Sequence, residues 1–274
     1  VISADNQLII HHSSLIIHHT SFTTHHSLSI THKMISSIFC WSGGKDSSYA
    51  LHKVLQEGVY DVKYLLSTFN GNYKRLSMHG VREELIEAQA ASIGIPLLKA
   101  YVYEASNAEY EQQMKTILLQ AKAEGINHVL YGDLFLEDLR AYRENKMKEL
   151  DMHCVFPIWK TDTQWMINDF VTKGFESVLC CINDGYLDES WVGRTIDQQF
   201  INELPSNVDP CGENGEFHSF CFSGPVFKQP IPVATGEKTY KALEIKTSDH
   251  PTPIADVGTK GFWFCDLVLQ NPSS

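Results

Sequence analysis

No C-x-x-C pair occurs among the seven cysteines, Cys40, Cys154, Cys180, Cys181, Cys211, Cys221 and Cys265. An odd, scattered set argues against a disulfide framework and against a zinc or iron–sulfur site, and it fits reduced thiols in a cytoplasm. No apolar run reaches the roughly 18 residues that a membrane-spanning helix needs, and the first residues lack the basic-then-apolar pattern of a secretory signal. We therefore expect a cytoplasmic chain with no membrane partner. Basic residues are in short supply as well: 22 Lys and Arg stand against 33 Asp and Glu, for a net charge of -11. That deficit disfavours a general grip on phosphate backbones, so a small or protein-borne substrate is expected ahead of a nucleic acid. Charge is absent altogether between Asp5 and Lys33, where His-His recurs at 11 and 12, at 18 and 19, and at 25 and 26, followed by His32. Such a repeat could collect metal adventitiously. Our reading is that residues 1–33 are a dispensable His-rich extension and that Met34 is the functional start.

What the chain does contain is a large apolar fraction, 43% of 274 residues, and a regular alternation of strand and helix from Met34 onward. The predicted strands are Ile38 to Trp41, Val62 to Phe69, Pro96 to Tyr103, His128 to Phe135, Cys154 to Trp159 and Ser177 to Asn183. Helices are expected over Ser47 to Glu57, Val81 to Ile93, Ala108 to Glu124, Glu137 to Leu150 and Thr163 to Lys173. Five or six strands in this order predict an α/β fold with a doubly wound parallel sheet covered on both faces. Beyond about residue 185 the alternation stops. Glu216 to Phe222, Tyr240 to Lys246 and Gly261 to Val268 read as strands of a smaller, partly antiparallel C-terminal domain. The expected division is a nucleotide-binding domain over 34–185 and an appended substrate domain over 186–274, closing over the carboxyl edge of the sheet where ligands of such folds sit. The oligomeric state, a homodimer included, is left open by the sequence.

The chemistry is concentrated in three stretches. Ser42-Gly43-Gly44-Lys45-Asp46-Ser47 lies where the first strand hands over to the first helix. A glycine-rich turn there lets backbone N–H groups close around a phosphate, with the positive end of the helix dipole behind them. Lys45 adds a mobile positive charge, Ser42 and Ser47 add hydroxyls, and Asp46 is placed to assist a metal. A Walker A loop would need Gly at position 39 and Ser or Thr at 46, and the chain has Phe39 and Asp46. In Tyr131-Gly132-Asp133-Leu134-Phe135-Leu136-Glu137-Asp138-Leu139-Arg140, Asp133 ends a strand at the same edge, where a carboxylate could hold Mg²⁺ or orient a substrate, and Arg140 could neutralise phosphate charge. Glu137 and Asp138 read instead as first-turn residues that favour the helix dipole.

The third stretch is Asp209-Pro210-Cys211-Gly212-Glu213-Asn214-Gly215-Glu216-Phe217-His218-Ser219-Phe220. Strand alternation would put Glu216 and His218 on one face, with Glu213 in the tight turn before them. Carboxylates beside an imidazole could bind an amine or ammonium, or move protons. A polar hairpin with a solvated face is the plainer alternative. Cys211 is a weaker candidate for nucleophilic work, since no basic residue adjoins it.

The SGGKDS loop resembles the pyrophosphate loop of the ATP pyrophosphatases, also described as adenine nucleotide alpha hydrolase-like, which cut ATP between the α and β phosphates. Taken with SMHGVREELIEAQAASIGIPL from Ser77, YGDLFLEDLR, WVGR from Trp191 to Arg194, and DPCGENGEFHSF, the order and separation resemble the diphthine–ammonia ligase family over about Met34 to Phe227. The resemblance implies an AMP-forming amide ligase using ATP and Mg²⁺: a carboxylate acceptor is adenylated, and ammonia then displaces AMP. It implies that Ser42, Gly43, Gly44, Lys45, Asp46, Ser47, Gly132 and Arg140 hold the nucleotide. Lys45, Asp46 and Asp133 would be catalytic, with Asp46 and Asp133 on the metal. Glu213, Glu216, His218 and Arg194 would contact the acceptor. One departure stands out, because members acting on diphthine carry GEFET where this chain reads GEFHS, replacing an acid with His218. Two competing readings are a tRNA-modifying enzyme with the same loop and a nucleotide-binding sensor of the universal stress protein type. The first would want a basic domain or paired cysteines, and the second a different glycine pattern.

Overall fold

The computed structural model describes residues 33–104, 106–243 and 258–270. The expected His-rich extension falls almost wholly outside the described residues, as do residues 244–246 of one expected strand. A single compact unit begins at Met34. In chain order its elements are β1 (Ile35–Cys40), α1 (Lys45–Glu57), β2 (Tyr60–Asn70), β3 (Arg75–Leu76), α2 (Glu83–Ile93), β4 (Leu97–Val102), α3 (Asn107–Ala123) and β5 (His128–Tyr131). They continue with α4 (Glu137–Glu149), β6 (His153–Val155), α5 (Thr163–Thr172), β7 (Glu176–Asn183), α6 (Gln198–Glu203), β8 (Phe217–Ser223), β9 (Val233–Ala242) and β10 (Gly261–Leu269).

Parallel pairing of β4 with β2, β2 with β1, β1 with β5 and β5 with β6 gives the doubly wound sheet, and β3 adds a short antiparallel pair at the end of β2. Chain direction across the sheet reverses between β1 and β5, which is where a crevice opens in such folds. Side-chain alternation sorts the strand residues into two layers. Phe39, Leu65 and Leu130 pack with α1 and α2 residues Leu51, Val54, Leu85 and Ile86, while their neighbours Ile38, Leu66 and Val129 pack with Met114, Leu118 and Met147 of α3 and α4. Helix starts follow the local chemistry: Ser106 accepts from the Glu109 N–H and Asp162 from the Trp165 N–H, each covering an otherwise orphaned donor.

The strand over 176–183 departs from expectation. β7 does not extend the parallel sheet; it pairs antiparallel with β8 and β10 in a second sheet of order β8-β7-β10-β9. A strand buried on both faces, as β7 is from Ser177 to Asn183, carries no alternation from which its sheet could be told. The second sheet shares its core with the first, since Val178, Phe217, Phe220 and Leu267 join the cluster that contains Phe39 and Leu51. Asp266 of β10 is gripped by Arg75 at 2.9 Å and Arg82 at 2.7 Å, which ties the second sheet to the β3–α2 turn. No described helix is long and apolar enough to cross a membrane.

Candidate active site

The glycine loop turns directly from β1 into α1, and its shape is enforced from three sides. Gly43 has φ 69°, and a Cβ there would stand 2.6 Å from both Gln89 Oε1 and Ile86 Cδ1, so only glycine fits. Its carbonyl accepts from the Cys221 N–H at 2.8 Å and from Gln89 Nε2 at 2.9 Å. Gly44 caps α1 without a side chain of its own, and the Lys45 N–H is donated to Ser219 Oγ at 3.2 Å. Ser42 Oγ donates to Ser47 Oγ, which in turn donates to the Gly44 carbonyl, both at 3.0 Å. Opposite, β5 stops at Tyr131, short of the expected Phe135, because Gly132 passes the α1 backbone; a Cβ there would lie 3.0 Å from Ser47 Cα.

Lys45 is not the mobile charge expected of a loop residue. It is 2% exposed, its ammonium 2.8 Å from Asp46 Oδ2 and 5.3 Å from the centre of the Phe217 ring. Burial alone would draw its pKa down, but Asp46, followed by Cys211 and Glu213, carries it above its ordinary value, so Lys45 stays charged. Burial pushes the Asp46 carboxyl up against the pull of Lys45. Asp133 is likewise raised by burial, with Arg143 acting the other way.

These groups open on one cavity of about 790 Å³ at the carboxyl edge of β1 and β5, a volume suited to a cofactor-sized ligand. Ser42, Gly44, Lys45, Asp46, Ser47, Gly132 and Asp133 line one side, and Gly212, Glu213, Phe217, His218 and Ser219 line the other. Burial, then the charge of Asp46, pushes Glu213 up to about 8. His218 goes the opposite way, down to about 4, through burial and the neighbouring Lys45. Cys211 is buried, its thiol pushed well above the usual range and donated to the Thr163 carbonyl at 3.4 Å, which suits a structural residue better than a nucleophile.

Three expected site residues lie elsewhere. Arg140 points away from the cavity, bonded to Glu144 at 2.7 Å and resting on the rings of Phe156 and Trp159. The cavity side of α4 and of the residue before it carries Leu136, Leu139 and Arg143 at helical spacing, and Arg143 is the cation there, its Nε 2.9 Å from Asp133 Oδ2 and its guanidinium over Tyr131. Arg194 is bonded to Glu203 at 2.7 Å and stacked on Trp191, outside the cavity wall. Glu216 is fully buried and does not share a face with His218. Its carboxylate accepts from the Asp209 and Asn214 N–H groups at 2.8 Å and from Asn214 Nδ2 at 3.0 Å. It closes the turn that presents Glu213, and the ladder shifts register between Leu179 and Cys181, opposite His218 and Ser219.

The site residues expected from sequence do not include Arg143, Gln89, Ser219 or His79. His79, from the turn after β3, stacks on His218 with ring centroids 4.5 Å apart. The signal for Arg143 was available in the helical spacing from Leu136 and Leu139; the other three depend on contacts between segments far apart in sequence.

For a divalent cation the fit rests on two carboxylates. Asp46 Oδ1 and Asp133 Oδ2 are buried without a hydrogen-bond partner, the Arg143 N–H being close to the latter but not aimed at it. Among the described residues no group of three or more His, Cys, Asp or Glu side chains could hold a metal by itself. Two carboxylates with spare oxygens suit Mg²⁺, which is commonly held by one or two carboxylates together with substrate phosphates.

Comparison with known proteins identifies the family. Two domain models of one family match the chain, the diphthamide synthase N-terminal domain over residues 35–154 and the C-terminal domain over 162–248. A rat protein named diphthine–ammonia ligase is 23% identical over 258 residues, covering 84% of this chain and 93% of its own length. Its human namesake is 22% identical over 236 residues, covering 78% and 86%. A fission yeast protein of the same name is 23% identical over 238 residues, 77% of this chain but 39% of that longer protein.

Proposed function

Since the chain belongs to the diphthamide synthase family, we propose that it is an ATP-dependent ligase that joins ammonia to a carboxylate acceptor, releasing AMP and pyrophosphate. The observation that supports this reading most is the single cavity in which the glycine loop faces the Glu213–Ser219 segment. A phosphate group on one wall and an acceptor on the other would meet there without either leaving its own sheet.

Within that reading each side chain has a task set by its surroundings. The N–H groups at the start of α1 and the buried Lys45 ammonium receive phosphate charge, and Lys45 needs no reorganisation because Phe217 and Asp46 already hold it. Asp46 and Asp133 would hold Mg²⁺, whose chemistry there is to neutralise phosphate oxygens as charge develops on the leaving pyrophosphate. The Arg143 guanidinium, 2.9 Å from Asp133, favours its ionised form against the opposing effect of burial. Glu213, protonated at neutral pH on its raised pKa, can donate a hydrogen bond to the acceptor. Diphthine, the acceptor in the relatives' name, carries a trimethylammonium group as well as the carboxylate. With His218 neutral, recognition of that cation would fall to groups other than the residue after Gly-Glu-Phe.

The test is direct. The protein is incubated with ATP, Mg²⁺, ammonium and a peptide carrying diphthine, and AMP, pyrophosphate and the amide are measured. Equal amounts of all three are expected; ATP bound without turnover, or ADP and phosphate as products, would overturn the assignment.

A further inference from the structure

His79 and His218 come from different sheets and meet in the cavity beside the loop. His218 projects from β8, where it pairs with Cys181, and His79 sits in the turn between β3 and α2. The backbone is bent to place it. Met78, just before it, has φ 68°, and Gly80, just after it, has φ 70°. A left-handed methionine is costly, and here it gains no burial, since Met78 is 77% exposed. What the strained turn achieves is the position of His79: the imidazole stacks on His218, and its Nε2 lies 3.4 Å from where a Cβ on Gly44 would stand. Among the described residues no hydrogen bond occupies the His218 ring, and both imidazoles are half-buried and face the cavity.

From this arrangement, and resting on the ligase reading above, we infer that the His79–His218 pair is where ammonium is held and loses its proton before attack on the activated carboxylate. One N–H bond of ammonium breaks and its proton passes to an imidazole nitrogen, leaving the lone pair on ammonia. That lone pair forms the C–N bond to the acyl carbon while the C–O bond to the adenylate breaks, and AMP leaves with the electron pair. A second proton is shed to the cavity water as the amide forms. Stacked rings this close accept one proton between them, since two adjacent cations would repel. The step is also tied to occupancy of the loop. Burial first and Lys45 second hold His218 neutral. Phosphate oxygens on Lys45 would neutralise the second of these, so the imidazole becomes a stronger base when nucleotide is in place.

The pair's role separates two nucleophiles. Ammonium is protonated at neutral pH, whereas hydroxylamine largely carries a free lone pair and does not need the base. Wild type, His79→Gln and His218→Gln are compared with ATP, the diphthine peptide and either nucleophile, and ATP affinity is measured for each by calorimetry. Amide formation should fall on the order of a hundredfold in both variants, with hydroxamate formation within a few-fold of wild type and ATP affinity unchanged. Equal losses with both nucleophiles, or no loss with ammonium, would overturn the inference while leaving the ligase intact. A wild type that forms neither product overturns the ligase reading, and the inference with it.

Discussion

At Lys45 a single buried ammonium serves two ends: it neutralises Asp46, and in the proposed reaction it would neutralise phosphate. Removing it leaves the half-buried Asp46 carboxylate without its partner, a destabilising change. Lys45→Met should therefore unfold in less urea than wild type as well as lose pyrophosphate formation, and Lys45→Met with Asp46→Asn should recover most of the stability but none of the activity. Urea midpoints and product assays on the two variants check both halves. Glu213 and His218 give opposite pH signatures. Glu213 has its pKa raised from 4.5 to about 8, so its contribution is complete below 4.5 and fades as pH rises toward 8. His218 is lowered from 6.5 to about 4, so its contribution is complete above 6.5 and fades as pH falls toward 4. Melting temperatures across that range should decline less on the alkaline side for Glu213→Gln and less on the acid side for His218→Gln. Glu216 shows why residue chemistry alone misassigns a role. In the sequence it is as acidic as Glu213, but its oxygens are consumed by backbone N–H groups that have no other acceptor, whereas nothing local in Glu213 competes with the cavity.

Among the elements, α2 carries a residue on which the loop depends. Gln89 is fully buried, accepts from Trp41 Nε1 at 2.9 Å, and donates to the carbonyls of Gly43 at 2.9 Å and Cys221 at 2.6 Å. It joins the end of β1, the glycine loop and β8. Gln89→Leu keeps the volume but leaves the indole N–H without its acceptor and both carbonyls without that donor, at a cost of about 1–3 kcal/mol for each group left unsatisfied. A lower melting temperature and an ATP Kd weakened at least tenfold are the expected outcome, read by calorimetry. Legibility from sequence follows the same lines. The strand–loop–helix unit from β1 to α1 was readable because its strand, its glycines and its helix face are adjacent in the chain. Helices α1 and α2 were readable within a few residues because each has one apolar face and a glycine stop, Gly58 or Gly94. Neither β3, with two residues, nor α6, with six, is long enough to show a period. The sheet of β7 was hidden by uniform burial, and the turn at His79 by pairing with a strand some 140 residues away.

Taken whole, the compact unit from Met34 has one core running through both sheets. Phe217, Phe220 and Leu267 pack in the cluster that holds Phe39 and Leu51, so neither sheet buries its apolar face alone. A fragment ending at Gly174 should lack a cooperative unfolding transition, and a chain starting at Met34 should melt within a degree or two of the full length. Circular dichroism melts distinguish the cases. The bonds from Cys221 N–H to the Gly43 carbonyl and from the Lys45 N–H to Ser219 Oγ make the glycine loop and β8 one mechanical body. Thermodynamic reciprocity then applies to any pair of ligands seated on them: by whatever factor an acceptor on β8 tightens or loosens ATP, ATP must tighten or loosen that acceptor. A screen for the proposed acceptor could thus be run without turnover, by watching which compounds change the affinity for ATP.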